Sequence, residues 1–153
     1  MNSPNSPRRI IVGVDGSEFS SNTLTMAGRV APVFGVPLEV ITCIGMSDYY
    51  LTSRFEQELT KFTSELEETA RQMAEEAVDR AFAGNRPADL TATVKFGEPA
   101  KVLVEESNDA LMLIIGRHGG GGFLGQAIGS VSRACAAHAH CPVLLVGADD
   151  VLP

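Results

Sequence analysis

Two periodicities alternate along the chain. Arg9–Val14, Leu38–Ile44 and Ala110–Gly116 are short, nearly continuous apolar runs rich in β-branched residues, the pattern of strands buried on both faces of a parallel sheet. Leu90–Phe96 alternates more and reads as a strand nearer the sheet edge, and Pro142–Val146 closes the series, proline being acceptable at a strand's first residue. Between them the apolar residues recur at helical spacing. From about Glu18 to Phe34 they fall on a stripe of Leu24, Ala27, Val30, Ala31 and Phe34, with Gly35 as the expected C′ residue. From Phe55 to Ala83 the stripe is Phe55, Leu59, Phe62, Leu66, Met73, Ala77 and Ala81, with glutamates elsewhere as a solvated face. Gly97-Glu98-Pro99 starts a shorter helix, and Ser130, a favoured N-cap, opens an alanine-rich one reaching Ala139.

Five strands alternating with four helices predict a single α/β domain, doubly wound, with a parallel sheet, right-handed crossovers and helices on both faces. Residues 1–8, polar and proline-containing, are expected to be a loose tail ahead of a domain spanning 9–153. In such sheets ligands bind past the carboxyl ends of the strands. Asp15 stands at the tip of the first strand, and Gly45 to about Arg54, carrying Tyr49 and Tyr50, is a longer loop at the tip of the second. The most suggestive tip follows the fourth strand. Arg117 to Gly125 holds five glycines in nine residues, and the helix beginning near Ser130 offers free N–H groups and a positive dipole end to an anion.

Two phosphate motifs fail on this loop. Gly120 and Gly125 have the P-loop spacing, but Gln126 and Ala127 stand where Lys and Ser or Thr belong. Gly120, Gly122 and Gly125 satisfy G-x-G-x-x-G, yet only 28 residues follow, too few for the second half of a dinucleotide fold. What fits is Gly116-x2-Gly119-x9-Gly129-Ser130, together with Ile10-Ile-Val-Gly-Val-Asp15-Gly-Ser17 at the front, Gly129-Ser-Val-Ser132 at the helix start and His138-Ala-His-Cys-Pro-Val143 before the last strand. In these four motifs, in this order, the chain resembles the ATP-binding branch of the universal stress protein family over nearly its whole length.

The resemblance implies strand order 3-2-1-4-5, which makes the first and fourth strands neighbours at the switch point. It implies that Gly13, Val14 and Asp15 meet the adenosine end, with Ile44 contributing to the adenine wall. Gly116 and Gly119 would lie against ribose and phosphates. Gly129, Ser130, Val131 and Ser132 would supply clearance and phosphate donors at the helix start. Arg117 departs from the small hydroxyl residue common there, and either reaches phosphate or stays solvated. The implied cofactor is ATP, or AMP or ADP, with Mg2+ or Mn2+ bound through the phosphates. The implied assembly is a homodimer through the C-terminal edge strand Val143–Val146. From the residues themselves, Asp15 also reads as a turn former bonding its own backbone, and Gly116 to Ser132 as a tight turn plus an ordinary helix cap.

Composition narrows the function. With 12 basic and 19 acidic residues the net charge is −7, which disfavours sequence-independent nucleic-acid binding. Cys43, Cys135 and Cys141 have neither C-x-x-C spacing nor an even count, suiting small buried hydrophobes in a reducing compartment. No apolar run approaches a membrane span and the N-terminus lacks an apolar leader segment, so the expectation is a soluble cytoplasmic protein. His118 has no nearby Ser or carboxylate in sequence, and the His138-x-His140 pair suits a helix C-terminus better than zinc. No P-loop lysine, arginine finger or base is identifiable, so an ATP-binding regulatory or stress-response module with at most slow hydrolysis is expected. The alternatives are a nucleotide-hydrolysing or nucleotidyl-transferring enzyme of the adenine nucleotide α-hydrolase-like group, and a nucleotide-free dimeric interaction module.

Overall fold

The computed structural model describes residues 8–16, 20–45, 56–118 and 128–153, apart from the side chains of 56–60. The expected five-stranded parallel sheet is present in the order β3-β2-β1-β4-β5, built from β1 (Arg9–Val14), β2 (Leu38–Ile44), β3 (Leu90–Phe96), β4 (Ala110–Gly116) and β5 (Val143–Val146). Helices α1 (Ser20–Phe34), α2 (Glu56–Phe82), α3 (Pro99–Glu106) and α4 (Ser130–His138) link them, with a 3-10 turn at Ser107–Asp109.

Side-chain alternation along the strands divides the interior into two cores. Ile10, Val12, Leu38, Val40 and Ile114 face α1 and α2, where Leu24, Ala27, Ala77 and Val78 cover them. Ile11, Ile41, Leu113 and Ile115 face the other way, onto Leu103 of α3 and Cys135 of α4. At the amino end of β1 the Arg9 guanidinium is shared by three carboxylates. It donates to Asp109 at 2.6 Å, to Glu106 at 2.5 Å and to Glu39, while Lys95 also reaches Glu106. Burial opposes a charge there, but the Asp109 and Glu39 contacts outweigh it and hold the guanidinium above its ordinary pKa.

Several boundaries and faces differ from the sequence pattern. Phe34 is half exposed instead of completing the α1 stripe, because the helix stops there and Gly35 turns the chain with φ +64°. Among the described side chains of α2 the buried ones are Ala74, Ala77 and Val78, and Met73 lies 45% exposed at the margin, since the close approach to the sheet is made mostly by alanine. Pro142 precedes β5, although its carbonyl accepts from Leu113 N–H at 2.9 Å. Ser17, Glu18, Tyr49, Tyr50, Phe55 and Gly119 lie outside the described residues, or have no described side chain. Among the described residues no helix is long and apolar enough to cross a membrane.

Candidate functional site

The sheet order brings the tips of β1 and β4 together. Gly13 pairs in register with Ile115, so Asp15 and Gly116 emerge side by side at the carboxyl edge, where connections to α1 and α4 leave in opposite directions. Asp15 is exposed, and its Oδ1 accepts a 3.3 Å hydrogen bond from the buried hydroxyl of Ser20 in the first turn of α1. Val14 directs its side chain into the α1/α2 core, which leaves its backbone to the crevice. Gly13 is fixed by packing: a Cβ there would sit 2.8 Å from Leu103 Cδ1 and 3.0 Å from Ile115 Cγ2, so its bareness admits α3 to the sheet. Ile44 is 8% exposed at the tip of β2, opposite Phe96 in register.

The end of β4 is tied to β5 by one contact and to the start of α4 by two. Arg117 N–H donates to Val146 O at 2.7 Å, Gly129 N–H donates to Arg117 O at 2.8 Å, and the buried Ser132 hydroxyl donates to Gly116 O at 2.5 Å. Gly129, with φ −70° and ψ 163°, is the N-cap of α4, and its carbonyl accepts from Arg133 N–H at 3.0 Å. The cap assigned to Ser130 is therefore one residue earlier. Ser130 is the first helical residue, and the N-cap contributes no side-chain hydrogen bond. The N–H groups of Ser130, Val131 and Ser132 precede the first intrahelical bond and point out of the helix end. A Cβ at Gly116 would stand 3.2 Å from the His118 carbonyl oxygen and 3.3 Å from Thr23 Oγ1, so the chain's own atoms close in on this strand end and glycine is what fits there.

The Arg117 side chain turns toward the C-terminal turn, where its Nη2 lies 3.7 Å from Asp150 Oδ2. His138 ends α4, consistent with a dipole role, and His140 N–H donates to Ser107 Oγ. Sequence reasoning missed Ser20, Thr23, Asn22 and Asp150, which surround the site from α1 and the C-terminal turn. It also missed Thr42, whose buried hydroxyl has no hydrogen-bond partner among the described residues and which pairs in register with Val14. Nothing in spacing distinguishes these from ordinary polar residues.

An open parallel sheet in the order β3-β2-β1-β4-β5 with helices on both faces defines an α/β protein of the doubly wound class. The chain belongs to the universal stress protein family, whose family model matches residues 7–147. It is 31% identical over 151 residues to universal stress protein Rv1996 of Mycobacterium tuberculosis, covering 90% of this chain and 47% of that one. To universal stress protein Rv2623 of the same organism it is 30% identical over 162 residues, covering 100% and 52%. The chain thus spans about half the length of these curated relatives. Among solved structures, universal stress protein UspA from Lactobacillus plantarum superposes with TM-score 0.70 at 19% identity, covering 93% of this chain and 99% of that one. A universal stress protein in complex with cAMP gives 0.64 at 24%, covering 95% and 100%. One from Archaeoglobus fulgidus in complex with dAMP gives 0.54 at 22%, covering 90% and 96%.

Proposed function

We propose that this chain is an adenine-nucleotide-binding regulatory module serving a stress response, with ATP, or AMP or ADP, as its ligand. The observation that carries the reading is the juxtaposition at the β1/β4 switch point of Asp15, Gly116 and the amino end of α4. The donor set fits a phosphorylated nucleoside. Asp15 is an acceptor suited to ribose hydroxyls, the N–H groups of Ser130, Val131 and Ser132 suit phosphate oxygens, and Gly116 gives clearance between them. The Ser132 hydroxyl serves the fold, through Gly116 O, so its part in phosphate binding falls to its backbone. Gly119 and Gly129 complete the glycine signature, and Ile44 with the Val14 backbone forms the base side. That two structural neighbours are complexes with cAMP and dAMP supports an adenine nucleotide as the class of ligand.

Mg2+ or Mn2+ would arrive bound to the phosphates and screen them in a chain of net charge −7. Occupancy is the signal in this reading, with at most slow hydrolysis. The reading places the protein in the cytoplasm as a homodimer joined through β5, with residues 9–153 as one nucleotide-binding domain.

The test is to purify the protein, denature it, and assay the released small molecules for adenine nucleotide. Turnover is then followed with added Mg2+. Copurified or titratable adenine nucleotide with negligible turnover is expected. Fast turnover would make the chain an enzyme of the related hydrolase-like group, and a protein with no affinity for any adenine nucleotide would make it an interaction module.

A further inference from the structure

The main chain of Arg117 is held on both sides, by Val146 O and by Gly129 N–H, so its Cα stands beside the N-cap of α4 and only the side chain is at liberty. That side chain lies over Gly147, where an added Cβ would be 3.3 Å from Nη1, and ends 3.7 Å from Asp150 Oδ2. The carboxylate is far more firmly placed than the guanidinium. Asp150 Oδ2 accepts from Gly147 N–H at 2.6 Å, and Asp150 N–H donates to Gly147 O at 3.2 Å. Asn22 of α1 holds the same turn by donating to Gly147 O at 2.7 Å and to Asp150 O at 3.1 Å.

We propose that Asp150 is a specificity-determining residue of the nucleotide site: by neutralising Arg117 at the phosphate end, it weakens the preference for ligands of higher phosphate charge. This rests on the nucleotide reading above. At 3.7 Å, with both side chains 44% exposed, the pair is a loose one that a phosphate can displace. The carboxylate does not leave when Arg117 swings to a phosphate, because its ties are to the backbone of its own turn. It therefore remains a competitor for the guanidinium, so a phosphate that draws Arg117 over must do so against that pair, while an uncharged nucleoside is unaffected.

Binding of ATP, AMP and adenosine is measured by calorimetry, in the presence of Mg2+, on the wild type and on Asp150→Asn, whose amide oxygen can still accept from Gly147 N–H. The variant is expected to bind ATP about threefold more tightly, AMP less so, and adenosine unchanged, with the gain gone in an Arg117→Gln background. Asp150→Ser, which also keeps an acceptor, replaces it if circular dichroism shows the amide variant unfolded. Equal shifts for ATP and adenosine, or a gain that survives Arg117→Gln, overturn the assignment while leaving the nucleotide site standing. No binding of any of the three overturns both.

Discussion

The Ser132 hydroxyl donates to the Gly116 carbonyl oxygen at 2.5 Å, joining the last residue of β4 to the first turn of α4 across the whole glycine loop. The Ser132 side of this part-buried bond is enclosed, so removing the donor leaves a strand-end carbonyl without that partner. Ser132→Ala is expected to cost about 1 to 2 kcal/mol in urea denaturation, whereas Ser130→Ala, at an exposed first helical position with no cap bond, should change stability by less than about 0.5 kcal/mol. Equal losses in the two variants would mean that the staple has no weight.

Gly116 and Gly129 should separate under the same substitution. Valine at 116 puts a branched side chain where even Cβ is 3.2 Å from the His118 carbonyl oxygen, so about 1 to 3 kcal/mol of stability and nucleotide binding should both be lost. Valine at 129 is compatible with φ −70° and ψ 163°, and should cost at most about 1 kcal/mol through the poorer cap while abolishing nucleotide binding. Undiminished ATP affinity in a folded Gly129→Val protein would remove α4 from the site.

What the sequence made legible was whatever is local or periodic. The bounds of β1, β2 and β4 follow from nearly continuous apolar runs, those of β3 from a more alternating one, and the strand order from a family likeness. The close packing at Gly116 follows from a glycine where a strand ends. Contacts between distant segments left no such trace. Arg9 meets Asp109 one hundred residues away, and Asn22 meets the turn at Gly147 and Asp150 across more than that, because sheet order alone brings those segments together. The cap of α4 shifted by one residue for a related reason. Serine preference marks a helix start, but the docking of Ser132 onto Gly116 fixes the phase.

The cysteines should behave as core residues. Burial pushes both the Cys43 and Cys135 thiols up to about 11, while an unfolded thiol ionises near 9. Between those values the folded chain keeps protons that the unfolded chain loses, so these two residues make stability fall as pH rises from about 9 to about 11, on the order of 1 kcal/mol each. Denaturant midpoints at pH 8, 9 and 10.5, compared with a Cys43→Ala, Cys135→Ala variant, measure this. An identical decline in the variant would place the sensitivity elsewhere. Native alkylation by iodoacetamide at pH 8 should also be slow at Cys135, which is fully buried, and rapid once the protein is unfolded.

Asp15 is assigned to the nucleoside end, so Asp15→Ala should weaken adenosine and ATP by similar factors, about tenfold for the loss of a charge-assisted hydrogen bond. Gly129→Val, by contrast, acts where the phosphates are assigned and should spare adenosine relative to ATP. Titration of both ligands against both variants decides the orientation. If the two variants lose the two ligands in the same proportions, the nucleotide does not lie as proposed.

β5 lies at one edge of the sheet, and its register with β4 shows which of its groups are unused. In a parallel strand each residue directs its N–H and C=O to the same side, and successive residues alternate. Pro142 O accepts from Leu113 of β4 and Val146 O from Arg117 just past its end, so residues 142, 144 and 146 face β4, and Val143 and Leu145 present their backbone groups to the open edge. A second copy meeting this edge about a two-fold axis, strands antiparallel, would satisfy those groups in a contact that closes at the dimer. The side chains of Val143 and Leu145 pack against the core around Cys135, so charged replacements there would disturb the fold as well as the edge. Val143→Pro avoids this difficulty. It is close to valine in size, sits at the first residue of the strand where proline is tolerated, and deletes an outward N–H without touching the β4 ladder. Sedimentation at micromolar concentration should show a wild-type dimer, and a Val143→Pro protein at least tenfold weaker in association with unchanged circular dichroism, for the loss of two symmetry-related donors. A monomeric wild type, or a folded variant that dimerises as well as the wild type, would place the assembly surface elsewhere than this edge.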